Sequence, residues 1–260
     1  MNRRTADPAA LAARGTHWPI FVLSLEDDEA RRAPLLASLA DMGLKAEVLI
    51  GVDGRGGLPD WAEAEVDRNA AWTWDHRPRR HMTNGELACA LSHARAYRKI
   101  VEDGLPGAIL FEDDAIASEA FERFVAARGY EAADLVLLGH KKTWVRRNAS
   151  VRLTQGVTGH RLVDSPFGAY AYTVSDRAAR HLLGCTSPVR AQADWPCDIS
   201  RLKALATDPQ VASHPPDQSA QSIIERDRGH TERQSPRPFR FLSPKFWARS
   251  WRRRLGRRIA

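Results

Sequence analysis

The chain has 260 residues, 43% of them hydrophobic, enough for one large domain with small additions. Its net charge of +7 is misplaced by averaging: residues 235–260 carry nine cations and no acid, leaving 30 Lys+Arg against 32 Asp+Glu, or −2, elsewhere. A nearly neutral body argues against a nucleic-acid-binding domain, which carries its basic residues on the fold itself. Three scattered cysteines, Cys89, Cys185 and Cys197, give no zinc spacing and no disulfide framework, which points to a reducing compartment.

Residues 1–16 lack the apolar core of a signal peptide and read as a flexible polar lead-in. No run of 18 apolar residues suggests a spanning helix. Residues 17–230 read as the main domain and 231–260 as a basic tail. Trp18 to Leu25 is a first buried strand. Asp27 or Asp28 caps a helix with Leu35, Leu36, Leu39 and Met42 at helical spacing, closed by Gly43. Glu47 to Ile50 is a second strand, followed by the turn Gly51-Val52-Asp53-Gly54-Arg55. Gly56 to Arg80 reads as a loop.

Thr83-Asn84-Gly85-Glu86 is a capping box opening a helix that Gly104 and Pro106 end. The next apolar strand stops abruptly in Glu112-Asp113-Asp114. Three like charges at a strand end need solvent, arginines or a divalent metal, and oxygen ligands suit Mg²⁺ or Mn²⁺ together with a substrate's phosphates. Capping of the next helix is the competing reading. In an extended chain Glu112 and Asp114 share one side and Asp113 the other. Ser118 caps the next helix, Asp134 to Leu138 is a fourth strand, Gly139 to Ser165 stays unassigned, and Gly168 to Val174 is a fifth strand before a helix capped by Ser175. Strands alternating with helices predict an α/β fold with a mainly parallel central sheet flanked by helices, and ligands beyond the strands' carboxyl ends. No P-loop or Gly-x-Gly-x-x-Gly fingerprint is present.

Four segments carry a resemblance to glycosyltransferase family 25, the lipooligosaccharide-biosynthesis enzymes: Ile20 to Glu26 with Arg31 and Arg32; Val52 to Arg55; Gly85 to His93 with Ile100 to Gly104 and Leu110 to Asp114; and Gly168 to Tyr172 with Ala178 to Leu183 and Asp194-Trp195-Pro196. The family's Asn-Leu-Asp is Ser24-Leu25-Glu26 here. The resemblance implies a GT-A-like nucleotide-sugar fold, a UDP-sugar donor, a divalent metal (Mn²⁺ or Mg²⁺) on Glu112 and Asp114, and inverting transfer of a hexose, commonly galactose, to a saccharide acceptor such as a lipopolysaccharide. Ser24, Leu25, Arg31, Arg32, Asp53, His93 and Asp113 are then expected at the donor, Asp194 as base and Trp195 as a platform for the acceptor sugar. Asp198 reads as a helix cap, and His214, with Gln218 and Gln221, as part of the closing segment.

Trp247, Trp251, Leu255 and Ile259 recur every four residues, with Arg249, Arg253 and Arg257 largely opposite. That spacing predicts a basic amphipathic helix touching an anionic membrane through Trp247, Trp251, Arg253 and Leu255, peripheral on the inner face of the cytoplasmic membrane. Two rivals stand beside the transferase: another metal- and nucleotide-dependent enzyme (nucleotidyltransferase or phosphohydrolase), and a non-catalytic membrane-associated binding module of the same fold.

Overall fold

The structure, a computed structural model, describes residues 17–73, 80–215 and 244–259. The lead-in 1–16, the 230/231 boundary, Gln218 and Gln221 lie outside the described residues.

Among the described residues, eleven strands and six α-helices succeed one another. They are β1 (Ile20–Ser24), α1 (Glu29–Asp41), β2 (Ala46–Ile50), α2 (Asp60–Glu63), α3 (Asn84–Glu102), β3 (Gly107–Glu112), β4 (Ile116–Ala117), α4 (Glu119–Ala126), β5 (Leu135–Leu137), β6 (Thr143–Thr154), β7 (Val157–Leu162), β8 (Ala171–Ser175), α5 (Asp176–Thr186), β9 (Ala204–Asp208), β10 (Ala212–Ser213), α6 (Pro244–Arg254) and β11 (Gly256–Ile259). Nine strands make one sheet in the order β11-β6-β7-β9-β5-β8-β3-β1-β2, and β4 pairs with β10 beside it.

The sheet is mixed, not mainly parallel. Among the described strands only β1–β2, β1–β3 and β5–β9 run parallel, while β3–β8, β5–β8, β7–β9, β6–β7 and β6–β11 are antiparallel. Helix crossovers enforce parallel neighbours only where they occur. Between β5 and β8 the chain instead makes the hairpin β6–β7, from the stretch the sequence left unassigned, and β8 enters the sheet reversed.

Both faces of the sheet are covered, so its inner strands are continuous apolar runs. Alternation divides them. Ile20, Val22, Ile109 and Phe111 pack with Leu35 and Leu39 of α1 and Phe121 and Phe124 of α4. Phe21, Leu23, Ala108 and Leu110 pack with Tyr97 and Ile100 of α3 and Ala178 and Leu182 of α5.

The caps match the reading in part. Thr83 Oγ1 accepts from Glu86 N at 3.2 Å and Glu86 returns a bond to Thr83 N at 3.0 Å. Ser175 caps α5 through Ala178 N at 3.2 Å. Asp28 starts α1 through its carbonyl, which accepts from Arg31 N and Arg32 N, with no side-chain cap. Ser118 gives its hydroxyl to Val211 O at 3.0 Å instead of capping α4.

The C-terminal segment departs most from expectation. The helix stops at Arg254, and Gly256–Ile259 joins the sheet antiparallel to β6. Ile259 is therefore a buried strand residue and does not extend the helical stripe. Arg253, expected at a membrane surface, turns to the body, with Nη2 2.6 Å from Asp164 and its guanidinium over the Trp144 ring. Arg252 meets Asp198 at 3.3 Å.

Candidate functional site: a cleft at the ends of three parallel strands

The carboxyl ends of β2, β1 and β3 lie side by side, and a cleft of about 800 Å³, open mouth included, sits above them. Its walls bring together Ser24, Leu25, Arg31, Asp53, His93 and Asp113, six of the seven residues that the resemblance placed at the donor, with Glu112, one of the two expected metal ligands; Arg32 and Asp114 are not on the wall. Helix α3 supplies one wall. Gly85, Ala88, Cys89, Ser92 and His93 recur at three- and four-residue spacing and so share one face toward the cleft. A buried Arg80–Glu86 pair at 2.7 Å, which the sequence did not reveal, fixes the start of that helix.

The turn after β2 is pressed against α3. A Cβ at Gly54 would lie 2.5 Å from the Asn84 carbonyl oxygen, so only glycine fits. Ser92 Oγ accepts from Val52 N at 2.8 Å and donates to Ala88 O at 2.8 Å, tying turn to helix. Arg55 bridges Asp53 at 2.7 Å and Asp27 at 2.6 Å, and its hydrogen bonds hold the Asp53 carboxyl below the usual range.

The three carboxylates do not alternate as expected. Strand β3 ends at Glu112, and Asp113 and Asp114 continue in a turn, where period-2 alternation no longer applies. Asp113 and Asp114 share Arg31. Arg31 Nε donates to Asp113 at 2.7 Å and Arg31 Nη2 to Asp114. Ser24 Oγ donates to the other Asp113 oxygen at 3.0 Å, so the hydroxyl at the position of the family's Asn has a defined partner. His214 Nε2 lies 3.1 Å from Asp114. Burial pushes the Asp113 carboxyl up, against Arg31 and Ser24. Burial also raises Asp114, but the His214 hydrogen bond and the Arg31 charge outweigh it and bring it down. Asp114 Oδ1 is buried with no hydrogen-bond partner among the described residues.

Glu112 faces the cleft. His93 Nε2 is 3.3 Å from its Oε1, His93 Nδ1 is 2.8 Å from the Tyr172 hydroxyl, and that hydroxyl is 2.8 Å from the one on Tyr97. The sequence showed Tyr172 as a strand residue within a resemblance segment, with no role assigned. Its signal was a polar tip on an inward position of a buried strand. Cys89 Sγ, His93 and Glu112 offer donor atoms within 4.8 Å of one another. Burial and the charges of Glu112 and Asp194 push the Cys89 thiol well up.

Three expected site residues serve the scaffold. Arg32 Nη1 donates to Leu25 O at 2.9 Å and Glu26 O at 3.3 Å, holding the turn after β1. Asp194 accepts from Gly168 N at 3.0 Å and Ala169 N at 3.1 Å, anchoring the loop before β8, and is not on the cleft wall. Trp195 is 4% exposed, stands edge-on to Tyr172 and donates to Pro166 O at 3.1 Å; it has no face to offer a sugar. Asp198 caps the short turn at Ile199–Arg201 through Ser200 N at 3.2 Å, as read.

A mouse protein named "Inactive glycosyltransferase 25 family member 3" is 30% identical over 171 residues, 63% of this chain and 28% of that protein. Zebrafish "Procollagen galactosyltransferase 1" is 28% identical over 173 residues, covering 63% and 28%. A Haemophilus influenzae "Putative glycosyltransferase" is 25% identical over 166 residues, covering 63% and 56%. The chain thus spans about a quarter to a half of the length of these relatives. The crystal structure of A197 from STIV aligns at TM-score 0.40 and 14% identity over 78% of this chain and 87% of that one, too distant to bear on the fold. The sequence model described as glycosyltransferase family 25 (LPS biosynthesis protein) matches residues 17–199, and the chain belongs to that family.

Proposed function

We propose that the cleft binds a UDP-sugar and that the chain transfers a hexose, galactose first among candidates, with inversion to a saccharide such as a lipopolysaccharide or related surface glycan. The observation that carries this reading is the convergence of Arg31, His93 and Glu112 on one cleft beyond the ends of β1 and β3 in a family 25 chain. In α/β sheets this is where nucleotide ligands sit. Arg31 and Arg55 line the cleft as cations that attract a diphosphate, and Asp53 at its other end is an acceptor for nucleoside hydroxyl or imide groups.

The donor set fits a divalent ion. Glu112 turns a carboxylate into the cleft, and Asp114, behind the cleft wall with Oδ2 held by Arg31 and His214, keeps Oδ1 buried with no hydrogen-bond partner among the described residues. Glu112 would hold the ion, with Asp114 as the second oxygen. When bound, such an ion neutralises charge on the departing UDP. Arg31, held in place by Asp113 and Asp114, sets a guanidinium of fixed orientation on the same cleft, its charge partly offset by that pair. His93, held through Tyr172, fixes the orientation of Glu112. The test is UDP release by purified protein across a panel of UDP-sugars with Mn²⁺. Release with one preferred donor supports the reading. No release with any donor, with or without a saccharide acceptor, leaves the non-catalytic binding module, and turnover of nucleoside triphosphates instead would favour the nucleotidyltransferase.

We infer that α6 rests on an anionic membrane surface. Trp247, Trp251 and Leu255 are 50%, 60% and 71% exposed, an unusual outlay of apolar area beside a run of arginines. With Arg253 committed to Asp164 and β11 to β6, the helix is fixed to the catalytic body and would hold the cleft near a lipid-linked acceptor on the inner face of the membrane. Flotation with vesicles containing anionic lipid should carry the protein; Trp251→Ala with Leu255→Ala should weaken binding at least several-fold. Equal flotation of both proteins would refute a role for this face.

A further inference from the structure

Away from the cleft, the fold assembles a donor set that no linear spacing announced. His181 and Cys185 stand one turn apart on α5, and Cys197 comes back to them from the loop beyond that helix. Their donor atoms all lie within 4.8 Å of one another, with Cys185 Sγ 3.9 Å from His181 Nε2. The expectation that the cysteines are scattered is thereby corrected for two of the three. We propose that His181, Cys185 and Cys197 form a zinc site with an open fourth position.

Chemistry selects the ion. Two sulfurs and one imidazole nitrogen are soft and borderline donors that suit Zn²⁺ and not Mg²⁺ or Mn²⁺. Zn–S bonds of about 2.3 Å and Zn–N bonds of about 2.0–2.1 Å put tetrahedral ligand atoms roughly 3.5–3.8 Å apart. The His181–Cys185 separation is already close to that, and the third ligand needs to approach by at most about 1.3 Å. A bare disulfide between the cysteines would use two of these groups and give no reason for the imidazole nitrogen to converge on them. Three protein ligands leave one tetrahedral position for water or an exogenous donor, and His181 lies at the surface, so the ion has an entry path.

The cluster also adjoins two scaffold contacts. Cys197 is three residues from Asp194, which anchors the loop before β8, and next to Asp198, which is tied to Arg252 of α6. An ion on these ligands would clamp α5 to the loop that carries Asp194 and Asp198.

The full-length protein, reduced and freed of metal, would be titrated with Zn²⁺ and, separately, Co²⁺. The expected result is one Zn²⁺ per chain retained through dialysis, and a sulfur-to-cobalt charge-transfer band in the near ultraviolet that survives Cys89→Ser and disappears in Cys197→Ser. On the unmodified protein, Zn²⁺ should protect Cys185 and Cys197 from alkylation by at least ten-fold, with chelator restoring reactivity. Retention of the band in Cys197→Ser and its loss in Cys89→Ser would move the metal to the cleft and overturn the proposal. So would equal alkylation rates with and without Zn²⁺, or a Cys185–Cys197 disulfide in freshly purified protein that takes up no zinc after reduction.

Discussion

His93 Nε2 lies 3.3 Å from Glu112 Oε1, and this contact ends a buried chain that begins at Tyr97 and passes through the Tyr172 hydroxyl. Helix α3, strand β8 and strand β3 each contribute one member or more, so the orientation of a cleft carboxylate depends on three elements, of which β8 brings Tyr172 from 79 residues beyond His93. Burial pushes the Tyr172 hydroxyl well up, which keeps it protonated as a link between the other two. Tyr172→Phe should therefore cost about 1–3 kcal/mol of stability, because two buried polar groups lose a partner. Glycosyl transfer should fall further than donor affinity. Urea denaturation and steady-state kinetics check both.

Arg31 is the cation that lets Asp113 and Asp114 sit side by side. Arg31→Ala should destabilise the fold by about 3 kcal/mol, the lower end for breaking a buried pair, since the guanidinium is one-third exposed. Part of that loss should return on acidification, because Asp113, already raised by burial, then protonates more readily. A melting temperature that rises from pH 7 to pH 5 in the variant, relative to wild type, is the expected signature.

Asp194→Asn separates an anchor from a base. The carboxylate accepts two backbone N–H groups, and the amide keeps one oxygen able to do so. We expect a loss of about 1–2 kcal/mol in stability, as charge-assisted hydrogen bonds become neutral ones. The remaining activity should be well above the level left when a general base is removed. A fall in kcat of a thousand-fold or more with unchanged stability would make Asp194 the base.

Two buried histidines set an acid limit. Burial lowers His140, whose Nε2 lies 2.9 Å from Thr207 O, and burial with the Arg257 charge lowers His160. A folded pKa below the unfolded 6.5 means that the unfolded chain takes up protons first, so stability is full above about pH 6.5 and falls as pH drops through the folded values. His214 has the opposite sign: the Asp114 hydrogen bond raises it, and its contribution is lost as pH rises through the raised value. The His140 effect is isolated by comparison. His140→Asn should flatten the decline between pH 7 and pH 5 relative to wild type, measured by thermal denaturation.

The acidic strand end and the capping box were legible as punctuated places in the chain, and the family resemblance supplied most of the remaining cleft residues. Leu110 to Asp114 announced an electrostatic problem, and the resemblance over Gly85 to His93 brought His93 to the donor, whereas the shared face of Gly85, Ala88, Cys89, Ser92 and His93 came from the structure. The solution was less visible. Arg31 is one turn into a helix 82 residues upstream of Asp113, and sequence proximity offers no hint of that pairing. The hairpin β6–β7 escaped because Arg146, Arg147 and Asn148 face water and interrupt the apolar alternation that marks a strand. Trp195 read as a sugar platform because sequence does not distinguish an exposed indole from a buried one. The tail showed a regular four-residue stripe, yet the helix gives way at Gly256, and pairing with β6 captures Gly256–Ile259 as a strand.

Binding of UDP in the presence of Mn²⁺, measured by titration calorimetry on the wild-type chain and on Glu112→Gln, tests the central claim most directly. One UDP per chain, with affinity at least ten-fold weaker in Glu112→Gln and an unchanged melting temperature, is the expected result. No binding by the wild-type chain, or equal affinity in both proteins, would contradict the assignment of this cleft as the donor site.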